Sequence, residues 1–167
     1  LRQFKPIWKN EELRTYLAII ATAIALITWN ITSIYGNPLK AFRYAAFQVA
    51  SIITTTGFAT ADYMKWPTMS QTIIIILMII GACASSTGGG IKVSRFLIVV
   101  KSIKKELKQM VHPKSVNLIR INGKKMNPDI VQNVFVYLVA YAGIAGLSVL
   151  LVSIDDFDFA TNLGSVM

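Results

Sequence analysis

The sequence predicts an all-α integral membrane protein whose units consist of a helix, a re-entrant loop and a broken helix. Of the 167 residues, 54% are hydrophobic and 15% are charged, whereas an average globular protein has about 25% charged residues. The mean hydropathy is +0.54, and long stretches carry no charge at all. The apolar excess excludes a disordered chain, and the single Cys83 excludes a disulfide-linked scaffold.

Three charge-free stretches have the composition of membrane-spanning segments. A spanning helix needs about 20 predominantly apolar residues. The first span is expected at about residues 14 to 35, the second from about residue 68, and the third at about residues 133 to 154. Residues 1 to 8 contain two basic residues and no apolar core, so we expect no signal peptide there.

The basic residues predict the orientation of these spans. Ten of the 17 lie between Lys92 and Lys125 and four lie at or before Arg14, but only three lie between residues 30 and 67. The positive-inside rule therefore places residues 1–13 and about 92–128 in the cytoplasm. The net charge of +9 then reflects the orientation of the spans in the membrane and not a binding surface. We expect no nucleic-acid partner, because the ten-charge segment contains one aromatic residue, Phe96.

A helical segment between the first two spans is too short to cross a bilayer. Residues 39 to 51 have helical periodicity, and the uncharged run Thr54-Thr55-Thr56-Gly57-Phe58 follows them. The first span ends on the outer side and the second span begins there. The segment between them can therefore only enter the membrane and return to the same side. Carbonyl and hydroxyl oxygens at that depth can replace the hydration shell of an alkali cation. The run is a candidate ion filter; the alternative is an outer loop whose threonines cap a helix.

The second span is interrupted by a run rich in serine, threonine and glycine. The apolar part of this span extends from Thr72 to Ala84, and helical character resumes from Ile91 to about Val111. Between them, Gly88, Gly89 and Gly90 are consecutive, which strongly disfavours a continuous helix. Discontinuous spans often mark a transport path, so we expect a mobile or gating loop. The alternative is close packing of helices on small residues. Neither the phosphate-loop nor the dinucleotide-binding glycine pattern is present.

The cytoplasmic segment begins as a basic, amphipathic helix after Lys101. We expect the helix to end at His112-Pro113, because the residue before proline resists helical conformation. Contact with anionic membrane lipid is the ordinary interpretation of its lysines, and docking of a soluble partner is the alternative. Asn122-Gly123 predicts a tight turn between residues 116–121 and 124–126, in a small hairpin or loop. We assign no chemistry to the lone His112.

Two motifs together carry a resemblance to a known family. The sequence TTTGFATAD in the loop and CASSTGGGIK in the break resembles the Trk/Ktr/HKT superfamily of potassium transporters, and ELKQMVHPKSV resembles its Trk type. The resemblance covers nearly the whole chain. It implies four such units around a pseudo-fourfold pore, usually in a homodimer. Residues 1–111 would form one complete unit, 112–128 a cytoplasmic linker, and 129–167 the first helix and partial pore helix of the next unit. The first two units and the fourth filter would lie outside this chain.

The resemblance also implies roles for particular residues. The selectivity filter maps onto Thr54, Thr55, Thr56, Gly57 and Phe58, with K+ bound at Thr55, Thr56 and Gly57. The intramembrane gate loop maps onto Gly81, Ala84, Ser85, Ser86, Thr87, Gly88, Gly89, Gly90 and Lys92.

Ion, partners and location follow from the same resemblance. K+ is the expected transported ion, and no cofactor is expected in this chain. A cytoplasmic nucleotide-binding regulatory subunit of the TrkA type is the expected partner, with the basic surface from Lys101 to Lys125 as its candidate contact. The expected location is the cell (inner) membrane.

Two other classes are alternatives to a Trk-type uptake protein. In a tetrameric potassium channel each two-helix unit would be a separate chain, whereas a second unit begins here at about Ile130, and the TVGYG string is absent. A membrane-embedded enzyme would require ionisable residues within its spans. No cluster of His, Cys or carboxylate residues occurs there in the sequence, so we expect no enzymatic activity.

Overall fold

A computed structural model describes residues 10–84, 86–112, 119–155 and 159–166. The described residues are mostly helical, as predicted. The helices are α1 (Glu11–Tyr35), α2 (Pro38–Ile53), α3 (Thr68–Ile79), α4 (Val93–Val111), α5 (Pro128–Val152) and α6 (Phe159–Val166). Strands β1 (Arg120–Ile121) and β2 (Lys124–Lys125) form a hairpin, and Tyr63–Lys65 and Ser153–Asp155 are short 3-10 turns.

The described chain divides into two compact units. One consists of Glu12–Val93, and the other contains Glu11 and the described residues from Ser94 onward. The first unit therefore holds α1 to α3, the threonine run and the break in the second span. The second holds α4, the hairpin, α5 and α6.

Three apolar stripes form the core of the Glu12–Val93 unit. Residues three or four apart lie on one face of a helix, so this spacing of apolar residues gives each helix one buried side. The stripes are Ala23, Ile27 and Ile31 on α1, Ala41, Ala45, Val49 and Ile53 on α2, and Ile74 and Leu77 on α3. The alanines at the start of α2 leave room for close approach of neighbouring backbone.

The connection between α1 and α2 explains why residues 38 to 53 form a separate helix. Gly36 has φ +63°, a conformation that glycine adopts without penalty. The Asn37 side chain then accepts a hydrogen bond from the Leu39 N–H at 2.9 Å, and Pro38 begins α2. Local turn chemistry thus separates the long span from the short helix.

An aromatic cluster joins the end of α1 to the elements that follow. The Trp66 indole N–H donates to the Tyr35 hydroxyl at 3.2 Å, and the Tyr35 and Tyr44 rings lie 4.8 Å apart between centroids. Trp66 is buried, at 4% exposure. The Lys40 ammonium lies 5.9 Å from the centroid of the Tyr35 ring. Such amphipathic rings are typical of the membrane interface.

The hairpin of the second unit has the turn that Asn122-Gly123 predicts. Asn122 and Gly123 have φ values of 51° and 77°, which are typical of a type I′ turn. Arg120 pairs with Lys125 in an antiparallel register. The Asn122 side chain accepts a hydrogen bond from the Glu11 N–H at 2.8 Å. The predicted hairpin is confirmed, although residues 113 to 118 lie outside the described residues.

Two of the three predicted spans are continuous helices. Among the described residues, α1 and α5 are each 25 residues long and apolar enough to cross a bilayer, and α3 is a shorter apolar helix. Both long helices begin before their predicted starts at 14 and 133. In α5 the reason is local, because the Asn127 side chain caps the Asp129 N–H and Pro128 begins the helix. The amphipathic helix α4 ends at Val111, as the proline at 113 predicts.

A buried hydrogen bond between α1 and α3 provides a stability test. The Ser70 hydroxyl donates to Asn30 Oδ1 at 2.6 Å, and Ser70 is fully buried. We expect Ser70→Ala in the full-length protein to lower the free energy of unfolding by about 1 kcal/mol, because Asn30 loses a donor in an apolar setting. The control is Thr72→Ala, since the exposed Thr72 hydroxyl donates to the Thr68 carbonyl of its own helix. Denaturant titration in detergent checks this, and equal midpoints for the two variants would contradict it.

Candidate functional site

The threonine run, residues 54–58, begins where α2 ends. The Thr55 N–H donates to the Ile52 carbonyl and the Thr56 N–H to the Ser51 carbonyl, both at 2.9 Å. This pair of bonds is the Schellman motif, whose residue after the helix cap is left-handed. Thr55 occupies that position with φ 54°. The end of the helix thus turns the chain sharply and satisfies two carbonyls that the helix leaves open.

Thr55 is an unusual residue for this conformation. Glycine or asparagine normally fills it, and a residue with a Cβ is disfavoured by about 1–2 kcal/mol. The side chain that causes this strain has a partner: Thr55 Oγ1 accepts a hydrogen bond from the Gly89 N–H at 3.3 Å. The threonine run therefore contacts the break in the second span through this hydroxyl.

Side-chain bonds hold the remainder of the run in a non-helical conformation. The buried Ser51 hydroxyl donates to the Phe58 carbonyl at 2.5 Å. The Thr54 and Thr56 hydroxyl oxygens lie 2.7 Å apart, and Thr54 also donates to a carbonyl of α2. Gly57 has φ +80°. All five residues of the run are exposed in the described chain.

Ser51 was not among the predicted site residues. It lies on the buried face of α2, whose other buried residues include Gln48 and four apolar side chains. A hydroxyl on such a face, one turn before the threonine run, was the available signal, because buried polar groups require partners. The structure shows that this partner is the far end of the run.

The break in the second span is wider than the glycine run predicts. We expected apolar helix as far as Ala84 and its return at Ile91, but α3 ends at Ile79 and α4 begins at Val93. We call residues 80–92 the break loop. Its two ends run side by side, because the Gly81 N–H donates to the Ile91 carbonyl and the Ile91 N–H to the Ile79 carbonyl, each at 2.8 Å. The segment is therefore a closed loop of the Ω type.

Close approach within the break loop explains two of its glycines. A Cβ on Gly81 would lie 2.0 Å from the Gly89 carbonyl oxygen. A Cβ on Gly90, whose φ is +71°, would lie 3.0 Å from the Gly81 nitrogen. A Cβ on Gly88 or Gly89 would be 3.4 Å or more from its nearest neighbours. Packing therefore requires Gly81 and Gly90, whereas Gly88 and Gly89 offer backbone groups to Lys92 and Thr55.

Two charged side chains bind the backbone of the break loop. The Lys92 ammonium donates to the Ser86 carbonyl at 2.8 Å and also to the Gly88 carbonyl. The Glu12 carboxylate, in the first turn of α1, accepts a hydrogen bond from the Ala84 N–H at 2.6 Å. Glu12 was not predicted as a site residue, because nothing local to it points to a loop far along the chain.

The predicted gate residues lie in or beside this loop. Gly81 is buried, Ser86 and Gly88 are half-buried, and Ala84, Thr87 and Gly89 are exposed. Ser85 lies outside the described residues. The Ser86 N–H and hydroxyl both donate to the Cys83 carbonyl at 2.9 Å, which folds the first half of the loop on itself.

The atoms of the threonine run that could coordinate a cation are neutral oxygens. Within the described ranges, His, Cys, Asp and Glu side chains form no group of three or more that could hold a metal ion. The hydroxyl and carbonyl oxygens of Thr54 to Phe58 are the kind of ligand that suits a dehydrated monovalent cation.

A long apolar span, a short helix ending in an uncharged oxygen-rich run, and a broken second span are typical of membrane transport proteins. Residues 13–167 match the family model TrkH, described as cation transport protein, so the chain belongs to this family. The predicted family and the all-α membrane fold are confirmed.

Individual relatives agree with the family. The chain is 33% identical over 162 residues to the Trk system potassium uptake protein TrkH of Salmonella typhimurium, covering 93% of this chain and 33% of that protein. It is 30% identical over 171 residues to the Trk system potassium uptake protein TrkG of Escherichia coli, covering 99% of this chain and 34% of that protein. The crystal structure of the potassium transporter TrkH from Vibrio parahaemolyticus matches with a TM-score of 0.85 at 32% identity, covering 93% of this chain and 34% of that one.

The chain spans about a third of the length of these relatives. The similarity establishes the family and the fold. The assignment of the threonine run as a filter and of the break loop as a gate stays a prediction at this point.

Two glycines of the break loop provide a matched test of its packing. We expect Gly81→Ala in the full-length protein to lower the free energy of unfolding by about 1–3 kcal/mol, because the Cβ would clash with backbone across the loop. Gly88→Ala is the control, since its Cβ would meet only ordinary contacts. Thermal unfolding in detergent compares them. A Gly81 variant as stable as the Gly88 variant would show that the loop does not close in this way.

Proposed function

We propose that this chain is part of the pore-forming subunit of a Trk-type potassium uptake system. The threonine run coordinates K+ and the break loop closes the path beside it. The observation that carries the proposal is the contact between these two segments, the Gly89 N–H with Thr55 Oγ1. The names of the relatives support potassium as the ion and transport, rather than catalysis, as the activity.

The chemistry of the threonine run suits a cation that has lost its water. Carbonyl and hydroxyl oxygens replace the hydration shell, and the run carries no charge that would hold the ion too tightly. It follows the C-terminal end of α2, where the helix dipole carries partial negative charge and favours a cation. The Ser51 bond to the Phe58 carbonyl helps to hold the run in its non-helical conformation. One run supplies one side of a coordination shell, so the other units of the full-length protein supply the remaining ligands.

The break loop acts as a gate because it lies against the threonine run and is not part of a helix. It contacts Thr55 through one weak hydrogen bond, which can be broken without unfolding α3 or α4. In the predicted orientation, with residues 1–13 and 92–128 cytoplasmic, an ion from outside meets the run before the loop. This order suits uptake across the cell (inner) membrane.

The order of elements favours a single-chain pore over a tetrameric channel. The 25-residue α5 is followed by the short helix α6, as the 25-residue α1 is followed by α2. The same order of a long helix and a short helix therefore occurs twice in the chain, which supports an internal repeat.

The basic cytoplasmic segment is the proposed contact for a nucleotide-binding regulatory subunit of the TrkA type. Lys101 is engaged internally, with the Glu11 carboxylate and the Arg120 carbonyl. The lysines at 104, 108, 124 and 125 are exposed and available. Exposed Ile103 and Leu107 lie beside them on α4 and add an apolar component. The full-length protein is proposed to be a homodimer.

Substitution of Gly57 tests the filter. We expect Gly57→Ala in the full-length protein to reduce K+ over Na+ selectivity about tenfold, because a backbone penalty of about 1–2 kcal/mol at φ +80° disturbs the ligand geometry. Gly36→Ala is the matched control. Its φ is +63° with equally open space, and it lies in the connection between α1 and α2. Uptake of Rb+ and Na+ by proteoliposomes measures selectivity, and an unchanged ratio in the Gly57 variant would remove Gly57 from the filter.

Charge reversal on α4 tests the partner. We expect Lys104→Glu with Lys108→Glu to weaken binding of the regulatory subunit about tenfold at low salt, and by less at high salt, because the attraction is electrostatic. Lys40→Glu with Arg43→Glu makes the same charge change at exposed positions of the predicted outer side. Surface plasmon resonance with full-length protein in nanodiscs measures the affinity. Equal affinities of the two double variants would place the contact elsewhere.

A further inference from the structure

Glu12, in the first turn of α1, contacts the break loop. Its Oε1 accepts a hydrogen bond from the Ala84 N–H at 2.6 Å, across 72 residues of sequence. A hydrogen bond from a backbone N–H to a carboxylate is charge-assisted and roughly twice as strong as one between neutral groups. The bond is therefore a tertiary contact of appreciable strength on a loop with little regular structure.

The two charged residues that bind the break loop have different mechanical roles. Lys92 is the last residue of the loop, and its ammonium binds carbonyls of Ser86 and Gly88 in the same loop. Those bonds maintain the shape of the loop and can persist when the loop moves as a body. Glu12 belongs to α1, so its bond to Ala84 fixes the position of the loop relative to that helix.

Hydrogen bonds to α1 and to the threonine run oppose displacement of the residues between the ends of the loop. On its Ala84 side the loop is bound by Glu12, and on its Gly89 side by the Thr55 hydroxyl at 3.3 Å. The Glu12 bond is the shorter of the two and the only one of them that involves a charge. The bonds of Ile91 with Ile79 and Gly81, and the bond from the Val93 N–H to the Ala82 carbonyl, lie at the ends of the loop. They can persist while the residues between the ends are displaced.

We infer that Glu12 is a positioning residue that tethers the break loop to α1, and that opening of the loop breaks the Glu12–Ala84 bond. This inference rests on the proposed role of the loop as a gate. Glu12 touches no ion in this scheme. It sets the fraction of time for which the loop lies against the threonine run.

Cys83 provides a local reporter of this tether. It precedes Ala84, is half-buried, and is the only cysteine of the chain. The rate at which a small thiol reagent modifies it measures how often the loop is displaced, whether or not an ion passes. The experiment uses the full-length protein in proteoliposomes, with any cysteine outside this chain replaced by serine.

The critical comparison is between Glu12→Ala and Glu12→Gln. The charge of Glu12 acts on Cys83 electrostatically, so its loss changes the reactivity of the thiol by itself. Both variants lose that charge, but the glutamine retains a carbonyl oxygen that can accept the Ala84 N–H. We expect modification about tenfold faster in the alanine variant than in the glutamine variant, because only the alanine variant loses the tether. Glu12→Met, which keeps the side-chain length, replaces the alanine variant if that protein does not fold.

The outcomes separate the tether from the gate. Equal rates in the glutamine variant and in the alanine or methionine variant would overturn the tether, whatever the ion flux. Faster modification together with raised Rb+ leak supports both the tether and the gate. Faster modification with unchanged Rb+ leak supports the tether and contradicts the proposed gate function of the loop.

Discussion

Backbone N–H and carbonyl groups that leave a regular helix need other partners, and this requirement shapes both irregular segments of the chain. At the end of α2 the Schellman bonds of Thr55 and Thr56 satisfy the helix carbonyls. In the break loop, backbone pairing closes the two ends, and charged side chains bind the groups between them. The helices therefore serve mainly to present two stretches of non-helical backbone, each of which is held by specific bonds.

The threonine run and the break loop meet at Thr55, whose backbone is strained and whose hydroxyl makes the polar contact. Thr55 adopts a left-handed conformation that glycine would adopt more easily, but glycine has no hydroxyl to accept the Gly89 N–H. Across the contact, Gly89 has room for a side chain and uses its backbone instead. The left-handed Thr55 thus lowers the stability of the end of α2, but it provides a contact between the proposed filter and the proposed gate. Backbone strain of this kind is common at functional sites.

Sequence patterns predicted the elements that depend on local chemistry. Length and hydropathy alone indicate α1 and α5, and Asn122-Gly123 indicates the hairpin, because each signal lies within the element it specifies. The end of α3 at Ile79 could not be predicted, because it depends on the close approach of Gly81 and Gly89 across the loop. Glu12 was missed for a similar reason, since no spacing rule connects a carboxylate to an N–H so far along the chain. The oxygen-rich run and the glycine break indicated a filter and a gating loop, whereas the roles of particular residues came from the resemblance between motifs.

The paired ends of the break loop have a consequence for how such proteins can diversify. Because Gly81 and Ile91 are hydrogen-bonded to each other, the two ends of the loop can stay paired whatever the number of residues between them. Insertions and deletions there change loop-closure entropy only slightly. Relatives could therefore differ in the length of this segment while the pairing of its two ends is kept.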